Sequence, residues 1–160
     1  MNDATQIDAT KAGLPRLENR VSFLAHRINA KLIQSCNPVL NPHDLDLYSS
    51  RIVFALSERG SMKVGELVEL MALPQSTMSH QLKRLEKSGI LERNRSQTDN
   101  RTVVITLTDA GKDAAKICAN LSEAILGYVE DAFDAQEVEV LKKLMKRLFD
   151  CLPQPGDVKL

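Results

Sequence analysis

The chain has 160 residues, about the length of one domain with a small accessory element. Apolar residues make up 43% and charged residues 26% of it, a composition that excludes wholesale disorder. The 21 basic and 21 acidic side chains cancel, so affinity for an anionic partner must come from a local patch and not from the overall charge.

Hydropathy and cysteine spacing predict the compartment. The chain has no run of about 18 apolar residues, so we expect no membrane-spanning helix, and its polar, acidic N-terminus does not resemble a signal peptide. Cys36, Cys118 and Cys151 are widely spaced and form no CxxC pair, which favours free thiols over a disulfide framework or zinc site. We therefore expect a cytoplasmic protein. A redox switch is the alternative, although no pattern indicates a stabilised thiolate.

Two helices are predicted in the first 60 residues, after a frayed segment at 1–13. Pro15 suits the first turn of one helix, and two Asn-Pro pairs predict a loop over 36–43. Asp44 is the predicted N-cap of a second helix that stops at Gly60. The first helix has an apolar stripe at helical spacing, formed by Leu17, Val21, Leu24, Ile28 and Leu32.

The next segment predicts a helix-turn-helix. Ser61 is the expected cap of a short helix, which ends before Pro74 because the residue preceding proline avoids helical angles. Pro74 suits the first turn of the following helix, which runs to Ser88 and closes at Gly89. Two short helices joined by a tight turn form this motif.

The second of these helices has one apolar and one polar face. Met78, Leu82 and Leu85 fall on one side at about 100° per residue. The opposite side has no acidic residue, which favours a surface for phosphates and bases over an ordinary solvated face. It carries Ser76, Ser79, His80, Lys83 and Lys87.

A basic hairpin is predicted directly after the helix-turn-helix. Residues 90–93 and 101–107 read as strands around a seven-residue polar loop, with Val103, Ile105 and Leu107 facing inward. Between residues 80 and 101 there are six basic and three acidic side chains. Such a hairpin in this position is a wing that can reach the neighbouring minor groove.

The C-terminal part predicts two more helices. Thr108 caps a long helix, and a last helix begins near Asp134 and ends before Pro153, leaving a loose tail at 153–160. The broad apolar stripes of the first helix and the last two helices indicate a partner subunit. The predicted fold class is mainly α with a small β-wing. Its expected domains are dimerisation helices at 14–40 and 108–152, and a winged helix-turn-helix lobe at 41–107.

Three segments carry a family resemblance that spans roughly residues 15–150. They are Pro74-Gln75-Ser76-Thr77-Met78-Ser79-His80, Leu85-Glu86-Lys87-Ser88-Gly89-Ile90-Leu91, and the run from Asp99-Asn100-Arg101 to Leu107-Thr108-Asp109-Ala110-Gly111. Together and in this order they resemble the MarR (multiple antibiotic resistance regulator) family of winged-helix transcription factors. The last run is similar to the D-x-R wing signature of that family and the L-T-x-x-G start of its next helix.

The resemblance implies a homodimer that places the helix at 74–88 in the major groove of DNA. It also implies that Arg101 enters the minor groove and that Asp99 braces the wing, with Arg95 as a suitable partner. Lys83 and Lys87 suit phosphates, whereas His80 can make fewer base contacts than an arginine. The predicted DNA-binding residues are Gln75, Ser76, Thr77, Ser79, His80, Lys83, Arg84, Lys87, Arg93, Arg95, Asp99 and Arg101.

Members of this family commonly respond to small anionic or aromatic ligands. The matching surface here comprises Ser22, Phe23, His26, Arg27, Tyr48 and Arg51, each of which has an ordinary surface or interhelical contact as the alternative role. Redox-sensing relatives use a cysteine near the start of the first helix, whereas Cys36 lies near its end. The three histidines are scattered, so neither a metal site nor a cofactor is expected.

The sequence therefore predicts a sequence-specific DNA-binding transcriptional regulator, a homodimeric repressor that a ligand releases from a pseudo-palindromic operator. No GxSxG, P-loop, dinucleotide or HExxH pattern points to an enzyme. Two alternatives stay open: a cysteine-based redox-responsive regulator of the same fold, and a winged helix used for protein contacts. Arg93, Arg95 and Arg101 around one hairpin favour DNA over the protein-contact role.

Overall fold

The computed structural model describes residues 13, 15–95, 103–154 and 156–158. This part of the chain is mainly helical with one small antiparallel sheet, as predicted. It contains a short 3-10 helix at Leu17–Asn19, a second at Asn41–His43, and in chain order α1 (Val21–Leu40), α2 (Leu47–Arg59), β1 (Ser61–Lys63), α3 (Val64–Met71), α4 (Gln75–Lys87), β2 (Leu91–Arg95), β3 (Val103–Leu107), α5 (Asp109–Ala132) and α6 (Ala135–Cys151).

The core fills the first of two compact units, which ends at Cys118. There, helices α2, α3 and α4 pack on one another, α2 and α3 also contact β3, and α4 contacts β2. Burial of apolar side chains from all these elements supplies the main driving force for the unit. The fully buried large side chains are Leu40, Leu45, Ile52, Val53, Leu56, Leu67, Met78, Leu82, Leu85, Leu91 and Ile105.

The second unit begins at Ala119 and contains the rest of α5 together with α6. Asp134 caps α6, since its side chain accepts a hydrogen bond from the backbone N–H of Glu137 at 2.8 Å. Large apolar side chains on α6 and at its C-cap are exposed, namely Val140, Leu141, Leu144, Met145, Phe149 and Leu152. None of the described helices is long and apolar enough to cross a membrane.

The predicted loop over 36–43 is wrong, because α1 continues through Pro38 to Leu40. Cys36 and Leu40 are buried, and tertiary burial outweighs the local preference of the proline. The helix also starts later than predicted, at Val21, after the 3-10 helix. The second helix is capped by Asp46 and not by Asp44, which adopts a left-handed conformation with φ 58°.

The predicted cap at Ser61 is also wrong, because residues 61–63 form β1. Met62 is buried and pairs with Ile105 in β3, so the sheet has three strands in the order β1-β3-β2. Helix α3 begins instead at Val64, and the Glu66 carboxylate accepts the backbone N–H of Lys63 at 2.7 Å. The strand depends on a partner far along the chain, which a local pattern does not reveal.

The hairpin prediction is confirmed with different bounds. Strand β2 extends to Arg95, which pairs with Val103, and residues 96–102 lie outside the described part. Of the three positions predicted to face inward, Ile105 is buried and Leu107 is half-buried, but Val103 is 45% exposed. Val103 is the first residue of β3 and lies outside the core, so the inward-facing pattern does not extend to that end of the strand.

Candidate nucleic-acid interface

The two faces predicted for the helix at 74–88 are present in α4. Met78, Leu82 and Leu85 are fully buried, which fixes the rotation of the helix about its axis. The opposite side of α4 faces solvent. Its residues are Ser76, His80, Lys83 and Lys87, all exposed, and Ser79, which is half-buried; Gln75 and Thr77 are exposed in the first turn of the helix.

The turn that leads into α4 is short. Helix α3 ends at Met71, Ala72 takes a left-handed conformation with φ 49°, and α4 begins at Gln75. Pro74 is the N-cap residue, one position earlier than the predicted first turn. A left-handed residue at the end of a helix reverses the chain within a few residues, so this turn sets the angle between α3 and α4.

The C-terminal end of α4 is joined to the start of α5. Gly89 has φ 74°, and the N–H of Ile90 donates to the carbonyl oxygen of Leu85 at 3.0 Å, as predicted for a glycine-capped end. The hydroxyl of Thr108 donates to the Gly89 carbonyl oxygen at 2.6 Å and accepts the N–H of Gly111 at 3.0 Å. The predicted cap at Thr108 is therefore confirmed, and it also holds the turn after α4.

Positive charge on the exposed face of α4 comes from two lysines. The salt bridges found among the described residues involve neither Lys83 nor Lys87, so both ammonium groups are available to an anion. Glu86 lies beside this face, and its carboxylate is paired with the guanidinium of Arg93 at 3.0 Å. That pair neutralises the nearest acidic charge and ties α4 to β2.

The predicted arginines differ in their surroundings. Arg95 is exposed at the far end of β2, whereas Arg93 pairs with Glu86. The guanidinium of Arg84 contacts the carboxylate of Asp46 at 2.6 Å, a contact that sequence reasoning did not find because 38 residues separate the two. Asp99 and Arg101 lie outside the described residues.

The six residues considered for a ligand lie on α1 and α2. The rings of Phe23 and His26 stack with centroids 6.0 Å apart, and the hydroxyl of Tyr48 accepts a hydrogen bond from Asn29 at 3.3 Å. Asn29 was missed, since nothing in the local pattern distinguishes it. The remaining three, Ser22, Arg27 and Arg51, are exposed. Within the described ranges, no group of three His, Cys, Asp or Glu side chains could hold a metal ion.

The three thiols have different environments. Cys36 and Cys118 are buried, and burial raises the pKa of the Cys118 thiol to about 11. Cys151 is exposed on the last turn of α6, and its thiol donates to the carbonyl oxygen of Leu148 at 3.1 Å. A thiol whose pKa is raised is a poor nucleophile, so Cys118 does not have the properties of a redox sensor.

Several proteins similar to this chain in sequence are named as transcription regulators. Residues 34–117 match the profile of the family described as transcriptional regulator SarA/Rot. The organic hydroperoxide resistance transcriptional regulator of Bacillus subtilis is 26% identical over 139 residues, covering 87% of this chain and 93% of that protein. The HTH-type transcriptional regulator SarZ of Staphylococcus haemolyticus is 26% identical over 136 residues, covering 84% of this chain and 92% of that protein.

Solved structures agree on the fold. A probable transcriptional regulator from Pseudomonas aeruginosa superposes with a TM-score of 0.72 at 22% identity, covering 83% of this chain and 99% of that one. A MarR mutant from E. coli, complexed with operator DNA, superposes with a TM-score of 0.70 at 23% identity, covering 83% of this chain and 94% of that one. The fold, α4 and these relatives thus define a winged-helix, DNA-binding transcription regulator. Within that class, the chain belongs to the SarA/Rot family of transcriptional regulators.

Proposed function

We propose that this regulator acts as a homodimeric repressor that binds a pseudo-palindromic operator through α4 and is released by a small ligand. The observation that carries the proposal is the exposed face of α4, which has no acidic residue and combines hydroxyls, His80 and two lysines that form no salt bridge within the described part of the chain. The role is one of binding and not of catalysis. For this role α4 must fit into the major groove of DNA, which is about 12 Å wide.

The side chains of this face divide between two kinds of contact. Gln75, Ser76, Thr77, Ser79 and His80 occupy the first two turns of α4, where a recognition helix meets base edges. Lys83 and Lys87 follow on the next turns and suit phosphate oxygens, because an ammonium group is a compact charge that makes no bidentate contact. Base contacts then give the sequence preference, and the lysines supply affinity that depends on salt.

The wing supplies the second contact in this proposal. Arg95 is exposed at the far end of β2, beside the segment that contains Asp99 and Arg101. An arginine in a narrow minor groove is attracted by its negative potential, so Arg101 is the proposed minor-groove residue, with Asp99 bracing it. Arg93 contributes less, since its charge is offset by Glu86.

A homodimer is supported by apolar surface that each unit leaves uncovered. On α1 and the segment before it, Leu17, Val21, Leu24 and Ile28 are all more than 40% exposed. On α6 and the residues just before it, an open groove of about 390 Å³ is lined by Phe133, Val140, Leu141 and Leu144 together with polar side chains. Exposed apolar patches of this kind favour association with a second copy. We propose the dimerisation helices at 14–40 and 108–152 and the DNA-binding lobe at 41–107.

The ligand part of the proposal depends on the surface of α1 and α2. The stacked pair of Phe23 and His26 offers an aromatic face, and Arg27 and Arg51 offer positive charge to a carboxylate. Ser22 and Tyr48 add hydroxyl groups. A small aromatic acid fits this chemistry. Its binding would favour an arrangement of the dimer that does not bind the operator.

Fluorescence anisotropy tests the proposal. The protein is titrated at two salt concentrations against the DNA upstream of its own gene and against a scrambled duplex of the same composition. We expect tighter binding to the upstream DNA, with affinity that falls as the salt concentration rises. Weak binding that ignores both sequence and salt would instead favour a winged helix used for protein contacts.

A further inference from the structure

The guanidinium of Arg84 donates hydrogen bonds to two residues just before α2 and to one residue of its own helix, α4. Its Nη2 atom donates to Asp46 Oδ2 at 2.6 Å and to Gln81 Oε1 at 2.9 Å, and Nη1 donates to the carbonyl oxygen of Asp44 at 3.4 Å. The side chains of Arg84 and Asp46 are 36% and 25% exposed, so water screens the pair less than an open surface ion pair. A charge-assisted bond of this length restricts the position of α4.

The two carboxylate oxygens of Asp46 accept hydrogen bonds from two different helices. Oδ1 accepts the N–H of Ser49 at 2.8 Å and so caps α2, while Oδ2 accepts Arg84 from α4. The start of α2 is itself joined to α1, because the N–H of Leu47 donates to Asn37 Oδ1 at 2.9 Å. Arg84 therefore connects α4 to a point that is already fixed by hydrogen bonds to two other segments.

We propose that Arg84 is a positioning residue for DNA recognition, which acts through Asp46 and does not itself contact DNA. The inference rests on the proposed function, in which α4 is the recognition helix. Base contacts must be placed to within about 0.5 Å, whereas contacts to phosphates tolerate more displacement. The pair with Asp46 holds α4 against α2, so that His80 and its neighbours meet the bases in register.

The sequence alone assigns Arg84 to the DNA surface, since it follows His80 by one helical turn and is basic. The two roles make opposite predictions for Asp46. If Arg84 contacts a phosphate, Asp46→Asn removes a negative charge and releases the arginine, so affinity for DNA rises. If Arg84 positions α4, the same change breaks the pair and affinity for the preferred sequence falls.

The experiment compares three single variants and one double variant by fluorescence anisotropy. The probe is a duplex selected from a random-sequence pool on the wild-type protein, beside a scrambled duplex. Asp46→Asn keeps the α2 cap, because asparagine caps a helix about as well as aspartate. Lys83→Gln is the matched control, since it removes one positive charge from the adjacent residue on the exposed face.

We expect Arg84→Gln and Asp46→Asn each to weaken binding to the selected duplex about tenfold, the effect of losing one hydrogen bond to a charged group. Binding to the scrambled duplex and the salt dependence should change little. The double variant should be no weaker than either single variant, because both remove the same contact. Lys83→Gln should weaken both duplexes alike and lower the salt slope by about one unit.

Two results would overturn the inference while leaving the proposed function intact. One is a rise in affinity for Asp46→Asn together with a salt slope lowered by about one unit for Arg84→Gln. The other is unchanged affinity in both variants with only a lower unfolding temperature, which would make the pair a purely stabilising contact. If the wild-type protein selects no duplex and Lys83→Gln has no effect, the proposed function itself fails, and the inference fails with it.

Discussion

The Cα atom of Gly111 lies against the carbonyl oxygen of Ile90 so closely that a side chain cannot fit between them. Ile90 ends the turn after α4, and Gly111 is in the first turn of α5. The same contact is reinforced by the N–H of Thr108, which donates to the Ile90 carbonyl oxygen at 3.1 Å. Glycine is required here by close approach of two backbones, since a Cβ atom would displace the carbonyl group.

We expect Gly111→Ala to lower the free energy of unfolding by about 2 kcal/mol or more, because the clash is with backbone and not with a flexible side chain. Chemical denaturation measures the change. Gly127→Ala is the matched control: it lies in the same helix with open space around its Cα, so it should raise the free energy of unfolding by about 0.5–1 kcal/mol. Equal effects of the two variants would contradict the packing described here.

The left-handed turn between α3 and α4 gives a second stability prediction. Ala72 has φ 49°, a conformation that costs a residue with a Cβ about 1 kcal/mol and glycine nothing. Ala72→Gly should therefore raise the midpoint of thermal unfolding. Gly89→Ala, at φ 74°, should lower it for the converse reason. A lower midpoint for Ala72→Gly would show that the turn differs from the one described.

The wing prediction concerns Arg101, which the family resemblance assigns to the minor groove. We expect Arg101→Ala to weaken binding to the preferred duplex by about tenfold or more and to leave the proposed dimer intact, since a minor-groove arginine makes no contact within the protein core. Anisotropy measures the affinity, and analytical ultracentrifugation checks the oligomeric state. Unchanged affinity in an intact dimer would disprove the wing assignment.

The buried thiol of Cys118 predicts a dependence of stability on pH. Its pKa is raised by burial from 9.0 to about 11, so the folded protein keeps this proton to a higher pH than the unfolded chain does. Between these two values the unfolded chain binds fewer protons, and the free energy of unfolding falls as the pH rises. The stability advantage of the wild type over Cys118→Ala should therefore shrink from about pH 8.5, below both pKa values, to about pH 10.5, which lies between them.

Thiol labelling checks the same assignment independently. With iodoacetamide near neutral pH, the exposed Cys151 should react first, and the buried Cys36 and Cys118 should react only on unfolding. Mass spectrometry of peptides from the labelled protein identifies the modified residues. Rapid labelling of Cys118 in the folded protein would contradict its burial and would support the alternative of a cysteine-based sensor.

Some of the fold followed from local pattern alone. The apolar spacing of Met78, Leu82 and Leu85 predicted the buried face of α4, and Gly89 predicted its end, because both depend on residues within a few positions of one another. The cap at Thr108 and the start of the last helix near Asp134 were predicted for the same reason. The strand at 61–63 was missed, since it exists only through its pairing with β3.

The sequence by itself determined the order of the helices and the acid-free face of α4 through helical periodicity and short capping motifs, and its resemblance to a known family indicated the class of the protein. Tertiary structure alone decided which basic side chains remain free on that face. Arg84 and Lys83 are adjacent and carry the same charge, yet the first is bonded to Asp46 and the second is exposed. The physical reason is that ion pairs form between residues brought together by folding, and the sequence does not show which charged residues will be neighbours.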